Sequence, residues 1–227
     1  MTKHQTLQRI RIWDLPTRIF HVLLILSIAG LIITGEVGGD AMPVHFLFGY
    51  NVLALVLFRV VWGVFGGHWS RFRHFIPTPS ELLAYVRSLR TGHSTAHVGH
   101  NPLGALSVLG MLVILLLQVL SGFFSDDEIS NSGPWTNFVS GDWVSLATEY
   151  HSEIGKTVLL LLIGLHIGTI LFYKRIKQVD LIKPMIHGDK VLPEETHSSR
   201  DTLTSRLFAL GLYVGCAYVV YRLVYLA

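Results

Sequence analysis

Four histidines stand inside stretches that otherwise read as apolar membrane-spanning helices: His21, His45, His151 and His166. An imidazole in hydrocarbon is costly, so its presence there marks a functional site with a partner close by. His151 and His166 lie fifteen residues apart on one stretch. At about 100° and about 1.5 Å per residue they differ by roughly 60° in phase and roughly 22 Å along the axis. They share a face. His45 opens its own stretch at the depth of His151, and His21 sits about one turn into the first stretch, at the depth of His166. Depth therefore pairs His45 with His151 and His21 with His166. Two imidazoles are too few for bare zinc or copper. An iron porphyrin supplies four in-plane nitrogens and needs only two axial ligands. Gly49 and Gly155 each follow one of the outer histidines by four residues, giving a flat ring a position without a side chain one turn away.

Plainer readings compete. A single intramembrane histidine can hydrogen-bond to a neighbouring helix, and buried histidines also serve proton relays and metal transport. A haem-free transporter or relay is thus the rival class. His4, His68, His74, His93, His97, His100, His187 and His197 fall in polar loops or the tail, where solvated roles are expected. Arg59 follows His45 by fourteen residues, about 40° short of whole turns, and so faces the same interior. It would offset haem propionates beside the inner pair, or else snorkel to the interface. Arg18, one turn before His21, has the same two explanations.

The elements that must position these residues are apolar blocks. The chain has 227 residues, 51% hydrophobic and 15% charged, unlike an ordinary soluble domain. Five blocks approach the ~20 residues needed to cross a ~30 Å hydrocarbon core: Thr17–Thr34, Val44–Phe65, Pro102–Phe124, Tyr150–Tyr173 and Leu207–Ala227. The first is not expected to be a cleaved signal peptide, since no small-residue cleavage site follows it. The fifth carries Arg222 and three tyrosines near its end, so an interfacial helix is its alternative. The pattern predicts an all-α integral membrane protein: a four-helix transmembrane bundle core with a fifth transmembrane helix. The only cysteine, Cys216, excludes an internal disulfide and cysteine-ligated iron–sulfur or zinc sites within this chain.

Charge orients the helices. Lys3, Arg9, Arg11 and Arg18 fall in the N-terminal arm, Arg71, Arg73, Arg87 and Arg90 follow the second block, and a further basic run lies between Lys174 and Arg206. The loops around 35–43 and 125–149 contain no Lys or Arg but carry Glu36, Asp40, Asp126, Asp127, Glu128, Asp142 and Glu149. The positive-inside rule places the N-terminus in the cytoplasm and the acidic loops outside. The net charge of +3 then needs no nucleic acid to explain it. Pro77-Thr78-Pro79-Ser80-Glu81 predicts a capped amphipathic surface helix running to Leu89. The segment Ser125–Asp142 is placed to fold over the outer end, and 177–206 reads as a polar cytoplasmic linker. No internal repeat stands out.

The run Ile12-Trp13-Asp14-Leu15-Pro16-Thr17-Arg18-Ile19-Phe20-His21 resembles the signature of the prokaryotic cytochrome b561 family, which includes the b-type cytochrome subunits of membrane-bound nickel–iron hydrogenases. Four further stretches fit its pattern: His45-Phe46-Leu47-Phe48-Gly49-Tyr50, Phe58-Arg59-Val60-Val61-Trp62-Gly63, Gly99-His100-Asn101-Pro102-Leu103-Gly104 and Gly164-Leu165-His166. The resemblance covers roughly Ile10 to Met185. It implies a dihaem domain over 10–185, with 186–227 a linker plus a C-terminal transmembrane helix. Two b-type haems would be held by His21, His45, His151 and His166 in a multi-pass bacterial inner-membrane protein. Electrons would pass between the quinone pool and a periplasmic partner, such as a c-type cytochrome or an oxidoreductase subunit the chain anchors. Family members commonly have Glu directly after the fourth-helix histidine, whereas Ser152 here precedes Glu153, shifting the usual phase. Candidate quinone contacts are Gln118 and the His100/Asn101 turn, where packing serves as well.

Overall fold

The computed structural model describes residues 6–90, 97–127 and 129–225. His4, His93, Glu128 and the last two residues of the fifth block lie outside the described residues. Five helices are long and apolar enough to cross a membrane: α1 (Leu15–Val37), α2 (Met42–Phe65), α4 (Pro102–Phe123), a 35-residue run over Gly141–Arg175, and α8 (Leu203–Tyr225). Between them come the shorter α3 (Pro79–Arg90) and α7 (Ile182–His187) and the strands β1 (Leu7–Arg11) and β2 (Asp189–Pro193). The 35-residue run is itself composite: α5 (Gly141–Glu149), a π-helical turn (Tyr150–Gly155) and α6 (Lys156–Arg175). Large apolar side chains point outward, among them Val22, Leu26 and Ile33 on α1, Leu161 and Leu165 on α6, and Leu207 and Leu210 on α8. In water such continuous apolar faces would drive association; against lipid they carry no penalty. The chain is a multi-pass membrane protein. Its last block, read as spanning or interfacial, is a continuous 23-residue helix.

The chain sorts into two compact units. One comprises Met1–Arg18, Val61–Leu109 and His166–Ala209. Here β1 pairs antiparallel with β2, Leu7 opposite Pro193 and Arg11 opposite Asp189. The stretch read as a linker therefore contains a helix and a strand. Its polar composition hid a pairing with residues far away in sequence, which local patterning does not report. Gly188, at φ +91, makes the turn between α7 and β2, and its carbonyl accepts from the amides of Ile12 (2.8 Å) and Trp13 (3.0 Å). Ile10, Ile12 and Trp13 form the core beneath, with Trp69, Val98, Met185 and Leu192 packed against them. Lys190 donates to the Val98 carbonyl at 2.6 Å, and burial pushes its pKa down.

Asp14 is the polar centre of this unit. It is fully buried and caps α1 through the Thr17 amide (2.9 Å). The Trp62 indole (3.1 Å), the Gly67 amide (3.0 Å) and the Ser70 hydroxyl (2.7 Å) also donate to it. A buried carboxylate persists when its lone pairs are filled this way. The surface helix forms as expected: the Thr78 amide donates to Glu81 at 2.7 Å and the Glu81 amide to Thr78 Oγ1 at 3.3 Å, a reciprocal capping box opening α3. Tyr85 on that helix shares a hydrogen bond with Tyr173, 3.0 Å away; burial first, and this neighbour second, push its pKa up.

The other unit comprises Ile19–Val60, Gly110–Leu165 and Leu210–Ala227. Val52 to Val56 on α2 are buried in its interior. Asn51 donates to Ser27 at 2.8 Å and accepts from Tyr213 at 2.5 Å, tying α1, α2 and α8 together by the polar contacts that hold helices in lipid. The segment after α4 turns back over that helix. Asp127 accepts the amides of Ile129 (3.0 Å), Ser130 (2.9 Å) and Asn131 (2.8 Å), and the Trp135 indole donates to Leu223 at 3.0 Å. Hydrogen bonds from the Asn131 side chain and these amides hold the Asp127 carboxyl far below the usual range.

Candidate functional site

His45 sits in the first turn of α2 and His151 in the π turn ahead of α6. Their rings approach to 6.2 Å between centroids at an interplanar angle of 78°, in a cavity of about 490 Å³. The depth pairing of these two is what the structure brings together. A haem iron placed in this cavity would be held by His45 and His151, one ring nitrogen from each.

Each ring is oriented through Nδ1. His45 Nδ1 lies 3.1 Å from the Leu31 carbonyl and 3.3 Å from Thr34 Oγ1. His151 Nδ1 lies 2.8 Å from the Gln118 carbonyl and 3.2 Å from Ser121 Oγ. A carbonyl only accepts, so Nδ1 carries the proton in both rings. That tautomer leaves Nε2 with the lone pair a metal needs, which is how ligating histidines are prepared. The residues fit the group.

Space comes from glycines other than those the spacing suggested. A Cβ on Gly35 would stand 3.2 Å from His45 Cε1, and one on Gly122 would stand 2.8 Å from His151 Cε1. Gly49 does line the cavity, with nothing closer to its missing Cβ than Leu31 at 4.0 Å. Gly155 does not. It is buried in the π turn, where a Cβ would meet Gln118 Oε1 at 2.0 Å. The two histidine-orienting helices thus carry one arrangement twice: an accepting carbonyl at Leu31 or Gln118, a hydroxyl three residues on, and a glycine next. Sequence reasoning passed over Thr34-Gly35 and Ser121-Gly122. The recurring hydroxyl–glycine pair in apolar helices was the available signal.

The π turn also corrects the helical arithmetic. A π turn carries one residue more than an α turn, so the 60° phase reckoned between His151 and His166 at α-helical spacing does not carry over. Within it the His151 carbonyl accepts from Gln118 Nε2 at 2.8 Å. Gln118, a candidate quinone contact, is engaged on both its side chain and its carbonyl in holding His151.

The remaining predicted residues are spread over both units. His21 on α1 belongs to the second unit and His166 on α6 to the first, each half-buried. Arg59 on α2 is 3% exposed, so its head is not in solvent. Arg18 donates to the Ile186 carbonyl at 2.5 Å. Asn101 bridges Tyr173 (2.9 Å) and the Gly104 amide (2.7 Å) at the start of α4, and His100 packs between Trp13 and Phe75 at 4.8 Å from each. Packing explains that turn. Among the loop histidines, His68 stacks on His74 (3.9 Å) and His197 (5.0 Å) instead of standing alone in solvent. Burial, then the nearby His74 and His197, push its pKa down. Among the described residues no group of three or more His, Cys, Asp or Glu is placed to hold a bare metal ion.

The profile of the family described as prokaryotic cytochrome b561 matches residues 12–188. The chain belongs to this family. It is 24% identical over 239 residues to a "Probable Ni/Fe-hydrogenase B-type cytochrome subunit" of Rhizobium leguminosarum bv. viciae, covering 86% of this chain and 99% of the relative. A relative of the same description from Azotobacter chroococcum mcd 1 is 24% identical over 215 residues, covering 81% and 89%. A "Probable Ni/Fe-hydrogenase 1 B-type cytochrome subunit" of Escherichia coli strain K12 is 23% identical over 138 residues, covering 49% and 58%. No solved structure matches. Membership of this prokaryotic cytochrome b561 family makes the chain a membrane b-type cytochrome, and implies haem b.

Proposed function

We propose that this cytochrome b561-family protein carries electrons between the quinone pool and a periplasmic redox partner, using two haems with bis-histidine ligation. The observation that supports it best is the pair His45 and His151, 6.2 Å apart with both Nδ1 atoms committed to backbone carbonyls. Bound there, haem supplies one-electron chemistry that no side chain here provides. The chain's own residues orient the imidazoles, keep Nε2 deprotonated, and clear space at Gly35 and Gly122. His21 and His166 are assigned to a second, inner haem, with Arg59 and Arg18 toward its propionates. The charge pattern supports an inner-membrane topology with a cytoplasmic N-terminus and the His45/His151 end facing the periplasm.

A reduced-minus-oxidised spectrum with haem stoichiometry tests the reading: two haems per chain are expected, and a purified protein without b-type bands refutes it. His166→Ala should lose one haem and keep the other; retention of both breaks the inner pairing. A second reading, favoured by the descriptions of the relatives, makes the chain the membrane anchor of a nickel–iron hydrogenase-like oxidoreductase. Co-purification of a large periplasmic metalloenzyme supports the anchor. An isolated chain that exchanges electrons with a small c-type cytochrome supports the first reading.

A further inference from the structure

We propose that the hydroxyls of Thr34 and Ser121 set the redox potential of the group held between His45 and His151, by sharing each imidazole's Nδ1–H bond with the backbone carbonyl. The inference rests on the reading that these two histidines are axial ligands. Thr34 Oγ1 lies 3.3 Å from His45 Nδ1, and Ser121 Oγ lies 3.2 Å from His151 Nδ1. Each hydroxyl has its own proton committed elsewhere, Thr34 to the Gly30 carbonyl at 2.6 Å and Ser121 to the Gln118 carbonyl at 2.9 Å. Only a lone pair is left to face the imidazole, so both hydroxyls act as acceptors.

A hydroxyl bonded to a carbonyl three or four residues back is common inside helices and by itself means little. Here the same hydroxyl also meets a ligand ring, and the residue after it is a glycine whose Cβ would press on that ring. This happens on α1 and again on α4, at the two walls of one cavity. Local helix chemistry accounts for the first bond but not for that coincidence.

The direction of the effect follows from ligand basicity. An acceptor on Nδ1–H draws the proton outward and pushes electron density to Nε2. A more basic axial imidazole favours the ferric over the ferrous state, which lowers the potential. Removing either hydroxyl leaves the carbonyl in place, so the ring stays oriented while the potential rises.

The test is a redox titration of the purified full-length protein, following the b-type band of the component that His151→Ala removes. Thr34→Ala and Ser121→Ala are each expected to raise the Fe(II)/Fe(III) ratio at fixed potential by about three- to tenfold. Tenfold corresponds to about 59 mV for a one-electron couple. Thr34→Ser and Ser121→Thr, which keep the hydroxyl, are expected to stay at the wild-type potential. An unchanged potential in alanine variants of full haem content overturns the proposal. So does Ser121→Thr shifting as far as Ser121→Ala, because the effect is then one of packing. Should Ser121→Ala release the group, Ser121→Cys, a weak acceptor of similar size, supplies the same reading. Failure of the ligation itself is distinguishable: wild-type protein without b-type bands, or His151→Ala retaining both components, removes the axial ligands and the proposal with them.

Discussion

Around Asp14 in one unit and around His151 in the other, the chain places a polar side chain among apolar helices and satisfies it differently. Asp14 is closed by the protein alone, with four donors on its two oxygens and no access to solvent. His151 is only half satisfied by the protein: Nδ1 is tied to α4, while the other edge of the ring belongs to a cavity shared with His45. Unsatisfied buried polarity is expensive, so a folded chain completes it internally wherever no ligand is meant to do so. The difference separates a side chain completed by the scaffold from one left with an open edge on a cavity.

The comparison can be broken at the scaffold end first. Asp14→Ala leaves several buried donors without an acceptor and should cost about 3 kcal/mol or more, since each orphaned group is worth about 1–3. Thermal unfolding in detergent would measure it, and a melting temperature equal to wild type would show that the four contacts carry little. At the cofactor end, Gly122→Ala should cut haem retention about tenfold or more by driving a methyl into His151. Gly49→Ala, with 4.0 Å of room, should retain it. Equal loss in the two variants would mean that space, not ring position, is what these glycines supply. The smallest effect concerns the rim, where Asp127 also lines the cavity. Its carboxyl is held ionised by Asn131 and the loop amides, so its stabilising contribution is present above the ordinary carboxylate range and lost as pH falls below that range toward the depressed pKa. Asp127→Asn should flatten the acid limb of proteolytic protection in the 125–135 segment; an identical acid limb would place that sensitivity elsewhere.

Helix existence was legible because lipid imposes it. Every backbone polar group must be paired within the segment, so a run of about 20 apolar residues has essentially one spanning conformation. The fourth apolar block was found this way, but its start was not: the helix begins at Gly141, ahead of the apolar run, and passes through a π turn. Nothing in the hydropathy of Tyr150–Gly155 marks that turn, although the extra residue between His151 and Glu153 was visible. The pairing of β1 with β2 was out of reach for another reason, since each is five residues long and its partner lies beyond four membrane helices.

The sequence by itself determined that the chain enters lipid and which histidines break the apolar runs, because hydrophobicity is a local property. Tertiary structure alone decided that Gly35 and Gly122, more than Gly155, make room at the rings. It also decided that Leu31 and Gln118 fix the imidazole tautomers and that Asp14 gathers its donors. These are contacts between helices, set by distance in space and invisible to spacing along the chain.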